Sequence, residues 1–150
     1  MLYYYIIKVF EQIKSCFVKK KDERFYYLSL MQNSDNVNNY IIHGLWPQYN
    51  MDSYPQYCED VLFTMKVLKP LRKDLEKYWK PKHIKDPMKF WLHEWRKHGS
   101  CIFTPITQYE YFKITLDLYK EVIDKNLLCE KYKSGNHYLI PVSLDFKLIV

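Results

Sequence analysis

The chain predicts an α+β fold, an antiparallel sheet packed against several helices, and three observations lead there. Two aromatic and aliphatic stretches, residues 25–31 and 40–42, are separated only by a polar loop at 32–39, too short for a helical crossover. Helical periodicity fills much of residues 60–125. Strand character returns after Gly135. At 150 residues and 48% hydrophobic content, with no internal repeat and no low-complexity tract, the chain suits one core.

Residues 1–24 read as an N-terminal extension or a degenerate signal segment, and residues 25–150 as the folded domain. The apolar run 2–7 has no basic residue before it and is cut off by Lys8, a poor secretory signal. Ile6, Phe10, Ile13 and Phe17 recur instead at helical spacing, so a helix and a signal remnant both fit; Lys19, Lys20 and Lys21 then form a linker. The strand at 40–42 places His43 at its end, with Gly44 turning the chain and Pro47 fixing the exit. Residues 60–79 give two short helices either side of Pro70. Asp86 suits an N-cap, Pro87 the first helical position and Gly99 a left-handed C-terminal residue, which predicts a helix of about three turns. Thr107 and Glu110 form a capping box for a helix to about Lys125, with Phe112, Leu116, Tyr119 and Ile123 inward. Residues 138–150 read as one or two strands broken at Pro141.

The formal charge is +6, and its distribution is uneven. Residues 66–99 hold eleven of the 23 basic side chains and four of the 17 acidic ones, a net of +7 that leaves −1 elsewhere. Such a segment fits a phosphate-steering surface, although a solvated helix face has the same composition. No uncharged apolar run reaches the roughly 20 residues needed to span a bilayer. The four cysteines, Cys16, Cys58, Cys101 and Cys129, are too few for a disulfide scaffold and lack the paired spacing of a zinc ribbon. One bridge is the economical reading: a Cys58–Cys101 bond would contribute about 4 kcal/mol in the chain-entropy model, given an oxidising compartment. No Asn-x-Ser/Thr acceptor occurs.

Two blocks carry the chemistry. Residues 40–47 (Tyr-Ile-Ile-His-Gly-Leu-Trp-Pro) and 90–101 (Phe-Trp-Leu-His-Glu-Trp-Arg-Lys-His-Gly-Ser-Cys) hold three of the five histidines, a glutamate and a lysine. On a helix, His93, Glu94, Lys97 and His98 fall within an arc of about 140°, with Leu92 and Trp95 directed away. The position four after His93 is Lys97, not the histidine that a His-Glu-x-x-His zinc site needs. Cys101 is better used as a bridge than as a nucleophile, and His83 and His137 read as structural. An imidazole to take a proton, another to give one and a cation for an oxyanion suit phosphodiester cleavage without a metal.

Both blocks resemble the two active-site signatures of the T2 ribonuclease family. The first matches as aromatic-x-aliphatic-His-Gly-Leu-Trp-Pro and the second as His-Glu-Trp-x-Lys-His-Gly-x-Cys, in the family's order, with the likeness running from about residue 25 to 125. The resemblance implies a ribonuclease T2-like α+β fold and an endoribonuclease acting on single-stranded RNA with loose base preference. Its products would be a 2′,3′-cyclic phosphate and then, by hydrolysis, a 3′-phosphate. By position, His98 would be the general base and His43 the general acid. Glu94 and Lys97 would polarise the phosphate, and His93 would help hold it. Trp46 would stack on a base, with Gln48 and Tyr57 or Tyr54 completing the pocket, and Cys58–Cys101 matches a disulfide usual in the family.

The resemblance further implies a monomer that needs no metal or other cofactor, in a secreted or endolysosomal or vacuolar lumen. Departures are visible too. Met31-Gln32-Asn33 stands where the family usually has a Gln-Trp-Pro-like segment with a nearby cysteine, so the second base site is not carried over. Family members also continue past the equivalent of Val150 with further strands and another disulfide, which leaves Cys129 without a partner. The alternative reading is a catalytically weak or inactive truncated homologue that acts as an RNA-binding or effector protein.

Overall fold

The computed structural model describes residues 22–33 and 39–150, so the readings placed on the N-terminal segment and Cys16 lie outside the described residues. Four strands, β1 (Phe25–Gln32), β2 (Tyr40–Gln48), β3 (Lys133–Ser134) and β4 (His137–Val142), form one antiparallel sheet in the order β2-β1-β4-β3. Between β2 and β3 come α1 (Met65–Leu68), a 3₁₀ turn over Lys69–Leu71, α2 (Arg72–Tyr78), α3 (Pro87–Lys97) and α4 (Gln108–Asp124). The fold is α+β, as predicted.

Alternation along the strands decides which side faces the helices. Tyr26, Leu28 and Leu30 of β1, Ile42 and Leu45 of β2, and Tyr138, Ile140 and Val142 of β4 are buried in one cluster with Leu75, Trp79, Trp91, Trp95, Tyr111, Phe112 and Leu116. Ile42 and Leu45 are three residues apart, which strict alternation would send to opposite faces. A bulge resolves the conflict: Ser29 pairs with Gly44 and Leu30 with Ile42, so His43 is the extra residue. Both apolar side chains stay in the core, and His43 is turned out with the opposite face of the sheet.

β2 is an edge strand, and aromatic side chains satisfy its outer backbone groups. Trp79 Nε1 donates to the His43 carbonyl at 2.8 Å, Tyr111 hydroxyl donates to the Leu45 carbonyl at 3.1 Å, and Tyr119 hydroxyl donates to the Tyr40 carbonyl at 3.0 Å. Trp91 Nε1 in turn donates to the Trp79 carbonyl at 2.7 Å. The bulge that aims His43 is thus clamped from the helical layer.

Several boundaries depart from the expectation. The second strand does not end at Ile42: it runs through His43 and Gly44 to Gln48, because the ladder with β1 continues past the bulge. Gly44 is needed for close approach rather than for a turn, since a Cβ there would lie 2.2 Å from Glu94 Oε2 and 2.7 Å from Trp46 Nε1. Asp86 caps α3 through Met88 N–H and Pro87 opens it, as read. Gly99 does not adopt the left-handed conformation; it starts a 3₁₀ turn, Gly99–Cys101, and its missing Cβ makes room for the Trp95 ring. Helix begins only at Met65, after an irregular stretch, and Pro70 sits in the 3₁₀ link. The Thr107–Glu110 capping box forms on both sides, but Ile123 is 42% exposed while Val122 takes the inward place.

Pro141 does not break β4. Its carbonyl accepts from Ile149 N–H on the side away from β1, so the missing proline N–H falls outside that ladder. Cys58 and Cys101 are bonded, and Cys129 is a free, exposed thiol. Among the described residues no helix is long and apolar enough to cross a membrane.

Candidate active site

The end of α3 and the outer face of β2 enclose a cleft of about 480 Å³, lined among others by His43, Trp46, Gln48, Tyr54, Glu94 and His98. His93 and Lys97 line it too, so of the residues singled out in the sequence only Tyr57 and the two cysteines are not on its wall. Tyr57 sits just outside, its ring edge-on to His93 with centroids 6.3 Å apart.

Glu94 is the hub. It is 1% exposed, and its two oxygens look in different directions. Oε1 lies 3.6 Å from His43 Nε2, while Oε2 lies 3.9 Å from His98 Nε2 and accepts from Trp46 Nε1 at 3.0 Å. Trp46 completes the arrangement: its indole stacks on the His98 ring at 5.2 Å and meets the His43 ring edge-on at 4.9 Å. One indole face is therefore committed to His98, and the ring also lines the cleft, with the His137 ring centroid at 6.4 Å.

The last turn of α3 must hold its place for this to work, and a strap supplies the means. Tyr57 N–H donates to the Lys97 carbonyl at 2.9 Å, Cys58 N–H donates to Ser100 Oγ at 3.0 Å, and Ser100 Oγ donates to the Arg96 carbonyl at 2.7 Å. These bonds satisfy carbonyls that a helix terminus leaves without partners. Tyr57 pays for the bend with a left-handed φ of 52°, and the Cys58–Cys101 bond closes the strap beside it.

Burial sets the protonation states. It pushes the Glu94 carboxyl up to about 8, against the opposing pull of the Trp46 N–H and the Lys97 charge. It pushes His43 down to about 4, with His137, Lys97 and His93 adding to the effect, and His98 down to about 3, with Lys97, His43 and His93 adding. His93 is lowered less, by burial and then Lys97. Near neutral pH the protein alone therefore keeps both rings neutral and the carboxyl protonated. Two proton-exchanging rings, a neutral acid between them and the Lys97 ammonium can move protons and receive an anion.

Sequence reasoning passed over two participants. Trp79 looked like the end of a helix, yet it holds the His43 carbonyl. His137 was read as structural, yet its Nε2 lies 3.0 Å from His43 Nδ1. The available signal for His137 was its place on the outward parity of β4, with Leu139 and Pro141, opposite the buried Tyr138, Ile140 and Val142.

The model of the Ribonuclease T2 family matches residues 3–143. The chain belongs to that family. Among curated relatives, ribonuclease 3 of Arabidopsis thaliana is 41% identical over 80 residues, 51% of this chain and 36% of the relative. Ribonuclease T2-A of Mus musculus is 34% identical over 122 residues, 75% of this chain and 44% of the relative. The chain thus spans less than half the length of these relatives. Among solved structures, ribonuclease MC1 from bitter gourd seeds superposes with a TM-score of 0.67 at 16% identity, covering 83% of this chain and 92% of that one. An RNase-related protein from Calystegia sepium gives 0.61 at 22% identity, with coverages of 86% and 90%. At these identities the likeness establishes the ribonuclease T2 fold.

Proposed function

We propose that this chain is an endoribonuclease that cleaves single-stranded RNA by transphosphorylation to a 2′,3′-cyclic phosphate, followed by hydrolysis to a 3′-phosphate. One observation carries the reading: imidazoles from separate elements, His43 on β2 and His98 at the end of α3, flank the Glu94 carboxyl within 3.6 and 3.9 Å of its oxygens. His98 takes the 2′-OH proton as that oxygen attacks phosphorus, and His43 gives a proton to the departing 5′-oxygen. In the second step the roles reverse, His43 taking a proton from water and His98 returning one to the 2′-oxygen. Lys97 and protonated Glu94 receive the charge that builds on the phosphoryl oxygens, and His93 helps hold the phosphate.

An entering phosphodiester brings negative charge to a site whose burial has driven its rings neutral, and so favours the protonated form of His43. The Trp46 indole, with Gln48, Tyr54 and, at the rim, Tyr57, would accept a base with little sequence preference, because every base offers a π-face. Each step runs through side chains of this chain as a monomer, with no metal or cofactor. The disulfide suits an oxidising lumen, secreted or endolysosomal or vacuolar.

Short single-stranded RNA incubated with the protein in EDTA should yield fragments ending in 2′,3′-cyclic phosphate. Those ends should convert slowly to 3′-phosphate, and a 2′-deoxy nucleotide on the 5′ side of the bond should block cleavage. Intact RNA in the presence of folded protein overturns the reading, and retention of uncut RNA would fit the binding or effector alternative.

A further inference from the structure

His137 belongs to neither sequence block, and only the sheet brings it to His43. It opens β4 opposite Met31 of β1, and Met31 in turn pairs with Ile41 of β2, so the strands flanking β1 carry the two histidines across its outer face. His43 Nδ1 and His137 Nε2 are 3.0 Å apart, with ring centroids at 5.2 Å and planes inclined by 31°. At that distance one proton lies between the nitrogens, because two bare lone pairs would repel and two N–H groups would collide. Nε2 of His43, on the Glu94 side, is then the atom left to exchange a proton with a ligand.

We propose that His137 is a positioning residue for His43: it holds the ring by Nδ1 and shares its positive charge, so that the proton given from Nε2 comes from a two-ring cation. The proposal rests on the reading of His43 as proton donor. In the charged pair, His43 carries a proton on Nε2, His137 carries one on Nδ1, and a third lies between the rings, for a total charge of +1. As the bond from phosphorus to the 5′-oxygen breaks, that oxygen takes the Nε2 proton. The shared proton settles on His43 Nδ1, and the pair is neutral. His43 is then left in the tautomer with a bare Nε2, which is the form that takes a proton from water in the hydrolysis step.

The surroundings support a single shared charge. The other ionisable groups that act on His43 come from α3 and its C-cap, Glu94 against Nε2 and Lys97, His93 and His98 beyond it, while Tyr27, Asp52 and Tyr54 line the same cleft. A separate full charge on His137 opposes charge on His43, as do Lys97 and His93, so the pair holds one shared positive charge and not two, and burial makes a lone His43 a poor carrier of even one. A second ring that takes part of the charge offsets that burial.

The test uses the full chain and the variants His137→Gln and His137→Ala, followed by long-range ¹H–¹⁵N spectra of the imidazoles across pH and by kcat and KM against pH on a ribodinucleotide. In either variant His43 should titrate about one pH unit lower. The limb of the kcat profile that requires a protonated group should move the same way. Above that limb kcat should fall about 10- to 100-fold, with KM within about twofold. His137→Gln, whose amide can still bond Nδ1, should recover part of kcat but not the position of the limb. Unchanged His43 titration and tautomer in both variants overturn the proposal. The spectra decide the ring pairing whether or not RNA is cut, so failure of the ribonuclease reading is distinguishable from failure of the pairing; His137→Gln keeps the question open to measurement if His137→Ala does not fold.

Discussion

The wall of the cleft made by β2 and the end of α3 buries Glu94 and His98, with His43 and Lys97 partly covered and His93 open to solvent, whereas the wall made by residues 49–57 leaves large side chains in solvent. Glu94 and His98 are 1% and 5% exposed; Met51 and Tyr54 are 74% and 55% exposed. The buried wall is held many times over, by the Trp46 stack, the Trp79 clamp on the His43 carbonyl and the strap on the α3 terminus. The exposed wall is held by a local turn, with Tyr49 N–H on the Ser53 carbonyl and Asp52 N–H on Asn50 Oδ1, and by Tyr57 N–H on the α3 terminus, while its large side chains stay in solvent. Groups that move protons need fixed geometry and a low-dielectric setting, while a surface that accommodates different bases needs aromatic area and room to adjust. Changes on the first wall should therefore act on kcat, and changes on the second on KM.

The largest expected effect is from His98→Ala or His43→Ala. Each should lower kcat by about 10³-fold or more, measured with a ribodinucleotide at the optimum pH, since each removes one end of the proton transfer. Near-normal turnover in either would refute the assignment of roles. Gly44→Ala probes the wall without deleting any reacting group. The new Cβ would fall 2.2 Å from Glu94 Oε2, so the carboxyl or the Trp46 indole must shift. We expect a loss of about 10- to 100-fold in kcat and about 1–3 kcal/mol in stability by denaturant titration.

Glu94→Gln should separate function from stability. The carboxyl is raised from 4.5 to about 8 by burial, so the folded state keeps a proton that the unfolded chain loses. Its contribution to stability is therefore complete below about pH 4.5 and declines as pH rises towards 8. A neutral amide escapes that decline. The variant should lose most activity yet be more stable than the parent at pH 8, by on the order of 2 kcal/mol, and nearly equal to it at pH 5. Equal melting temperatures at pH 8 would show that Glu94 is not held protonated. The smallest effect is expected on the exposed wall: Tyr54→Ala should raise KM by about 3- to 10-fold with kcat little changed. Tyr57→Ala, outside the cleft wall, should do less.

How far the site was legible from sequence depended on whether its residues share an element. Glu94, Lys97 and His98 lie on one helix whose start Asp86 and Pro87 announce, so their common surface follows from helical geometry. His43 was legible as a residue but not in its setting. The bulge that turns it outward exists because Ile42 and Leu45 both seek the core, and that demand becomes visible only once β1 supplies the register. Gly44 and Gly99 were each assigned a turn, yet both make room for a neighbour arriving from elsewhere: Glu94 and Trp46 in one case, the Trp95 ring in the other.

By itself the sequence determined the chemical inventory, the helix that presents most of it and the cysteine pair that braces it, because local periodicity, capping and motif spacing are written along the chain. Only the tertiary structure decided which groups meet across it. The edge of β2 is closed by Trp79, Tyr111 and Tyr119 from distant helices, and β4 returns beside β1 to set His137 against His43. Those contacts depend on strand order and burial, which are properties of the packed core and not of any local stretch of sequence.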